Sequence, residues 1–87
     1  MASTVKVAIS YCAECGYEPQ TLALADSLMR TFGSKLSAIE LIPWFDGTFE
    51  VSVDGELVHS MRRDGGFADP DAVSLAVRER LAAKASA

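Results

Sequence analysis

Asp54 and Gly55 stand between two alternating stretches, T-F-E-V-S-V and E-L-V-H-S-M, and this dipeptide limits the fold more tightly than any other local signal. A two-residue hairpin turn needs both central residues at positive φ, which Asp-Gly adopts readily. Strands therefore flank it, and the turn sets Val53 opposite Glu56, Val51 opposite Val58 and Phe49 opposite Ser60. Phe49, Val51, Val53 and Val58 then share a core face. The other face carries Thr48, Glu50 and Ser52 across from Met61, His59 and Leu57, which puts His59 beside Glu50 as a surface pair.

Upstream, Val5, Val7 and Ile9 alternate with Lys6, Ala8 and Ser10, the period of a strand with one buried face. From Pro19 the apolar residues Leu22, Ala25, Leu28, Met29 and Phe32 recur at helical spacing, with Pro19 suited to the first turn and Gly33 to the stop. Leu36 to Ile42 is apolar enough for a second strand. So compact a strand-helix-strand unit implies a parallel pair with a right-handed crossover. After a turn at Asp64-Gly65-Gly66, Asp69-Pro70-Asp71 supplies a cap, a first-turn proline and a dipole-matched acid. These open a helix carrying Val73, Ala76, Val77 and Leu81. The alanine-rich end from Ala82 is expected to fray. The order β-α-β-β-β-α fits an α/β fold with a four-stranded mixed sheet and two helices on one face, the minimal thioredoxin-like arrangement.

The 87 residues suffice for one domain with one core. Eight Lys and Arg against 12 Asp and Glu give a net charge of -4, and nucleic-acid binders need clustered positive charge. Residues 1–10 lack the charged block followed by an apolar block of a signal peptide. No run approaches the roughly 20 apolar residues that span a bilayer. The expectation is a cytoplasmic protein that binds neither nucleic acid nor membrane, as a monomer or weak homodimer.

Cys12 and Cys15 are the only two cysteines, and they stand as C-A-E-C between the first strand and the first helix. In a reducing compartment such a pair is more often catalytic, redox-sensing or metal-binding than a staple. Zinc needs four N or S ligands as a rule, and the only further candidate, His59, belongs to a strand. No metal is expected. A pair of buried, inert core cysteines is the plainer alternative, and the turn position argues against it.

The segments Y-C-A-E-C-G-Y at 11–17, E-L-I-P at 40–43, G-T-F-E-V-S-V-D-G-E-L-V at 47–58 and G-G-F at 65–67 occur together and in order. In this the chain resembles the selenoprotein W-like (Rdx) family, grouped with selenoproteins T and H, over nearly its whole length. The resemblance implies a thioredoxin-like fold and a redox-active CxxC. It also implies that Cys15, at the position of selenocysteine in many animal members, attacks while Cys12 resolves. Ordinary thioredoxins give the attack to the first cysteine, so the two analogies disagree. Proximity of Cys15 to the positive end of the helix favours the second. The function implied is that of a small thiol-disulfide oxidoreductase or redox sensor with no bound cofactor, its partners being redox proteins or glutathione as thiol co-substrate. The alternative is a protein-binding adaptor whose contacts the dithiol gates.

Glu14 and Glu18 oppose ionisation of the thiol, so an ordinary rather than strongly acidic cysteine is expected. Pro43 is expected trans. Trp44, Phe45 and Phe67 fall in expected loops, either as caps on the core or as a docking surface beside the cysteines. With Tyr11, Glu14, Gly16, Tyr17 and Gly66 they form the candidate supporting or partner-docking set. Many relatives follow G-G-F directly with proline, whereas Ala68 and Asp69 intervene here, which leaves the loop's approach to Cys15 to be shown.

Overall fold

The computed structural model describes residues 3–86. Strand β1 (Val5–Cys12) leads through the cysteine turn to helix α1 (Glu18–Phe32), and a 3-10 turn (Gly33–Lys35) leads into β2 (Leu36–Trp44). Then follow β3 (Phe49–Val53), β4 (Glu56–Ser60), a short helix α2 (Met61–Asp64) and helix α3 (Pro70–Ser86). The sheet order is β2-β1-β3-β4. Strand β1 runs parallel to β2 and antiparallel to β3, so it is bonded along both edges and everything else is placed relative to it.

Alternation does what the sequence implies in β1: Val5, Val7 and Ile9 are each fully buried. They join Phe49, Val51 and Val53 from β3, Leu24, Ala25, Leu28 and Phe32 from α1, and Val73 and Val77 from α3 in one core. Both long helices thus cover the same face. Lys6, Ala8 and Ser10 lie on the open face. Among the described residues no helix is long and apolar enough to cross a membrane.

The hairpin turn forms as expected, with Asp54 at φ 51° and Gly55 at φ 84°. Its register starts as expected too, Val53 opposite Glu56 and Ser52 opposite Leu57, then slips to Val51 opposite His59 and Glu50 opposite Ser60. Val58 is the extra residue of a β-bulge, and one inserted residue reverses the facing of all that follows. The expected His59–Glu50 pair is therefore absent. His59 turns to the core side with its ring edge-on to Phe49, 6.3 Å between centroids, and the Ser60 hydroxyl donates to Glu50 Oε2 at 3.1 Å. Met61, expected on the open face, packs against the core from α2 instead.

Helix α1 also turns a different face inward. Thr21, Leu24, Ala25, Leu28 and Phe32 are buried, while Leu22 and Met29 are 58% and 56% exposed. The stripe runs through Thr21 because its hydroxyl donates to the Tyr17 carbonyl at 2.9 Å, so a polar residue enters the core side with its donor satisfied. Helix α2 was not expected. Ser60 caps it by accepting from the Arg63 N–H, and Asp64 reaches back to accept from the Ser60 N–H at 3.1 Å. Two bonds from Arg63 and the one from Ser60 hold the Asp64 carboxyl down at about 2. Pro43 lies within β2, an edge strand where its missing N–H faces no partner, and no peptide bond among the described residues is cis.

The segment expected to fray from Ala82 is helical through Ser86; Ala87 lies outside the described residues. Lys84 explains the difference, because its ammonium donates to the Thr4 carbonyl at 2.7 Å and pairs with Asp54 at 2.7 Å. Asp54 also accepts from the Lys6 N–H at 2.9 Å and from Arg80 Nε at 2.9 Å. One carboxylate thus ties the hairpin turn to the start of β1 and the end of α3. The Lys84 hydrogen bond first, then those from Lys6 and Arg80, hold it far below the usual carboxylate range.

Two outcomes follow. Leu28→Ala should lower unfolding free energy by about 3 kcal/mol, as for a fully buried leucine, and Leu22→Ala by less than about 0.5 kcal/mol, measured by urea denaturation. Because the folded-state pKa of Asp54 is depressed, its stabilisation is fully present above about pH 4 and is lost as pH falls further toward the folded-state value. Asp54→Asn should therefore lose about 1–2 kcal/mol at pH 7. That deficit should narrow steadily below about pH 4; a gap independent of pH would show that the charge is not what stabilises.

Candidate functional site

At the end of β1 the ladder carries the chain into the cysteine turn. Cys12 pairs with Trp44 of β2, its N–H donates to the Thr48 carbonyl at 2.7 Å, and the Ala13 N–H donates to the Trp44 carbonyl at 3.1 Å. The turn then closes on itself, Gly16 N–H to the Ala13 carbonyl at 3.3 Å and Tyr17 N–H to the Cys12 carbonyl at 3.5 Å. Gly16 has φ 75°, a conformation that a side chain would strain. Pro19 stands in the first turn of α1, whose preceding residue Tyr17 supplies no side-chain cap.

Cys12 and Cys15 form a disulfide with a Cα–Cα distance of 5.2 Å. The two partners differ in surroundings. Cys12 is fully buried, whereas Cys15 is exposed, as are Glu14, Gly16 and Glu18 around it. A reagent arriving from solvent therefore meets Cys15.

The other candidate residues divide into two groups. Tyr17, Phe67 and Phe49 form a chain of edge-to-face rings, with centroids 4.9 Å apart for Tyr17–Phe67 and 5.1 Å for Phe49–Phe67. This chain joins the residue two beyond Cys15 to the G-G-F loop, so the loop does lie beside the cysteine turn despite its two inserted residues. The Tyr17 hydroxyl adds a long contact to Met61 Sδ at 3.9 Å. A His59 Nε2–Gly66 carbonyl hydrogen bond of 3.0 Å pins the same loop from below. Phe67, still 39% exposed, thus leans on the core through Phe49, and Tyr11 packs against that core as well.

Trp44 and Phe45 behave otherwise. Their rings stack on each other at 5.1 Å with 15° between planes, and each is 51% exposed. They do not cap the core; they form an aromatic ledge whose backbone is bonded to the cysteine turn through Ala13. Arg62 steadies the loop after them by donating to the Asp46 carbonyl at 3.0 Å.

Sequence reasoning missed Thr48 and His59 as members of this neighbourhood. Thr48 acts through its backbone carbonyl, which any residue would supply. His59 arrives only because of the bulge at Val58. Among the described residues no three His, Cys, Asp or Glu side chains are grouped so as to hold a metal ion.

A CxxC closing a strand and opening a helix, on a mixed sheet of order β2-β1-β3-β4 with its long helices on one face, defines a thioredoxin-like dithiol domain. The chain belongs to the Rdx family, whose model matches residues 6–79. Selenoprotein W of Danio rerio is 41% identical over 69 residues, spanning 78% of this chain and 80% of that protein. Selenoprotein W of Mus musculus is 40% identical over 72 residues, 82% and 80% of the respective chains. A selenoprotein W-related protein from Vibrio cholerae has the same fold, with a TM-score of 0.86 at 24% identity over 91% of this chain and 99% of its own. Family membership and a cysteine pair at bonding distance together support a redox function.

After reduction, limiting iodoacetamide should label Cys15 at least about tenfold faster than Cys12, since thiol reactivity follows access and ionisation. Peptide mapping reads the labelling; preferential labelling of Cys12 would reverse the assignment.

Proposed function

We propose that this chain is a small thiol-disulfide oxidoreductase in which Cys15 attacks and Cys12 resolves. The observation that carries the reading is the unequal exposure of the pair: Cys12 is fully buried and Cys15 is exposed. Family membership and the selenoprotein W relatives support it.

The Cys15 thiolate attacks one sulfur of a partner disulfide, forming a Cys15–partner bond and expelling the other partner sulfur as thiolate. Cys12 then loses its proton and attacks Cys15 Sγ. The Cys12–Cys15 bond closes and the second partner thiolate departs. The partner disulfide gains two electrons and, once its thiolates are protonated, two protons; the CxxC loses both. Two equivalents of a small thiol such as glutathione return the pair to the dithiol by the reverse exchange, and no bound cofactor takes part. Such recycling belongs in a reducing compartment, the cytoplasm.

Gly16 lets the turn close, and Tyr11, Tyr17, Gly66 and Phe67 hold it against the core. Glu14 tempers the thiolate. Trp44 and Phe45 offer the partner an apolar foothold, and that exposed ledge also favours a second reading, in which the chain is an adaptor and the dithiol only gates a contact.

Trapping separates the two. Cys12→Ser should accumulate mixed disulfides through Cys15 in a cell extract, and Cys15→Ser should accumulate none through Cys12. Disulfide-bonded thiol proteins or glutathione on Cys15 favour turnover. A partner retained equally by the chain lacking both cysteines favours the adaptor.

A further inference from the structure

Ser10, next but one to Cys12 on β1, is the small middle of a row across the open face of the sheet. It pairs with Ile42 on one side and Glu50 on the other. Two larger side chains with a serine between them leave a groove. With Trp44 and Thr48 at its upper end it encloses about 350 Å³. Trp44 pairs with Cys12, and the Thr48 carbonyl accepts from Cys12 N–H. The groove thus begins where the cysteine turn begins, one side-chain repeat, about 7 Å, along the strand.

Its chemistry is specific. One wall is apolar, Ile42 and the half-exposed indole of Trp44; Ser10 and Thr48 add hydroxyls; the far wall is the Glu50 carboxylate. Glu50 accepts from the Ser60 hydroxyl but has no ion-pair partner among the described residues. Arg63, which feels the Glu50 charge, is committed to Asp64 by two bonds of 2.8 Å. A larger cavity of about 580 Å³ on the same face differs in this respect. There Lys6 pairs with Glu40, and Arg80 and Lys84 pair with Asp54, so its charges already have partners.

A half-buried carboxylate opposite an exposed aromatic face suits one kind of side chain, a long apolar stem ending in a cation. Glu14 and Glu18, exposed at the cysteine turn, extend the same sign of charge toward Cys15. We infer that the groove is a specificity subsite for an arginine or lysine flanking the cysteine of a polypeptide partner, its stem along Ile42 and Trp44 and its head at Glu50. This inference rests on the dithiol reading for the placing of that cysteine at Cys15.

Two peptides decide it, identical but for arginine or glutamate flanking a single cysteine that is activated as its mixed disulfide with nitrothiobenzoate. Attack by Cys15 joins it to the peptide sulfur and expels the coloured nitrothiobenzoate thiolate, so release reads the rate. The reduced chain should favour the arginine peptide. Within each variant the arginine-to-glutamate rate ratio should fall about fivefold in Glu50→Gln and invert in Glu50→Lys, and Trp44→Ala should lower it with Glu50 in place. A ratio unchanged by both Glu50 variants overturns the subsite, as does preference for the glutamate peptide. Failure to release the chromophore from either peptide would instead sink the dithiol reading. The groove can then be judged alone: serine analogues of the peptides are titrated onto the chain carrying Cys12→Ser and Cys15→Ser. Trp44, the only tryptophan, reports by fluorescence. Saturable, Glu50-dependent binding of the arginine analogue supports the subsite, and equal response to both analogues overturns it.

Discussion

Strand β1 is hydrogen-bonded along both edges, and its side chains from Val5 to Ser10 alternate between a helix-covered face and an open one. Val5, Val7 and Ile9 are fully buried, each a contribution of about 2 kcal/mol from apolar area removed from water. A slip by one residue would bring those three into solvent and press Lys6 into the core, a penalty larger than the whole stability of a domain this size. The register is therefore fixed, and with it the place where the strand ends. Cys12 is the last residue of β1, so the same burial that holds the sheet together sets the cysteine turn against Trp44 and Thr48. The row through Ser10 follows from that register as well, since Ile42 and Glu50 can flank Ser10 only in this pairing.

Stability and chemistry occupy opposite ends of that strand. At its start, the Asp54 carboxylate gathers Lys6, Arg80 and Lys84 and locks hairpin, first strand and last helix together. At its end, the charged groups around Cys15 are acids without such partners among the described residues, and the aromatic ledge is left half exposed. This division lets the site keep groups that a stability argument alone would remove: an exposed tryptophan, a glycine at positive φ and acids beside an exposed cysteine. The ring chain Tyr17–Phe67–Phe49 is the link between the two regimes, because it seats the cysteine turn on the core without covering Cys15.

The parts of this arrangement readable in the sequence are those governed by local chemistry. Asp54-Gly55 is a turn whatever surrounds it, the alternation of β1 has one interpretation, and the cysteine pair needed only its position between strand and helix. The misread parts depend on what a residue meets later in the chain. Nothing in E-L-V-H-S marks Val58 as a bulge, because every residue there is acceptable in regular β4; the bulge moved His59 from the surface to beneath the G-G-F loop. Leucines at 22 and 24 are equal in composition, and only packing on the distant strands and α3 takes Leu24 inward, with Thr21 tolerated there because its hydroxyl is satisfied by Tyr17. The end of α3 looked weak by its alanines and is held by one distant ammonium, that of Lys84.

Exposure supports Cys15 over Cys12 as the leading sulfur of the proposed reaction. In the proposed reaction a partner must approach a sulfur from solvent, and a fully buried Cys12 offers no approach. Burial has a second consequence on the return path. When the disulfide opens at Cys15, the departing charge falls on Cys12, where desolvation disfavours a thiolate; at Cys15 itself, Glu14 and Glu18 act in the same direction. Strong oxidants work by stabilising the reduced thiolate, and here burial at Cys12 and the acids beside Cys15 oppose it. In the proposed reaction this favours the closed disulfide over the dithiol. Within the proposed reaction the CxxC donates electrons to its partner, and a second thiol in excess is needed to return it to the dithiol.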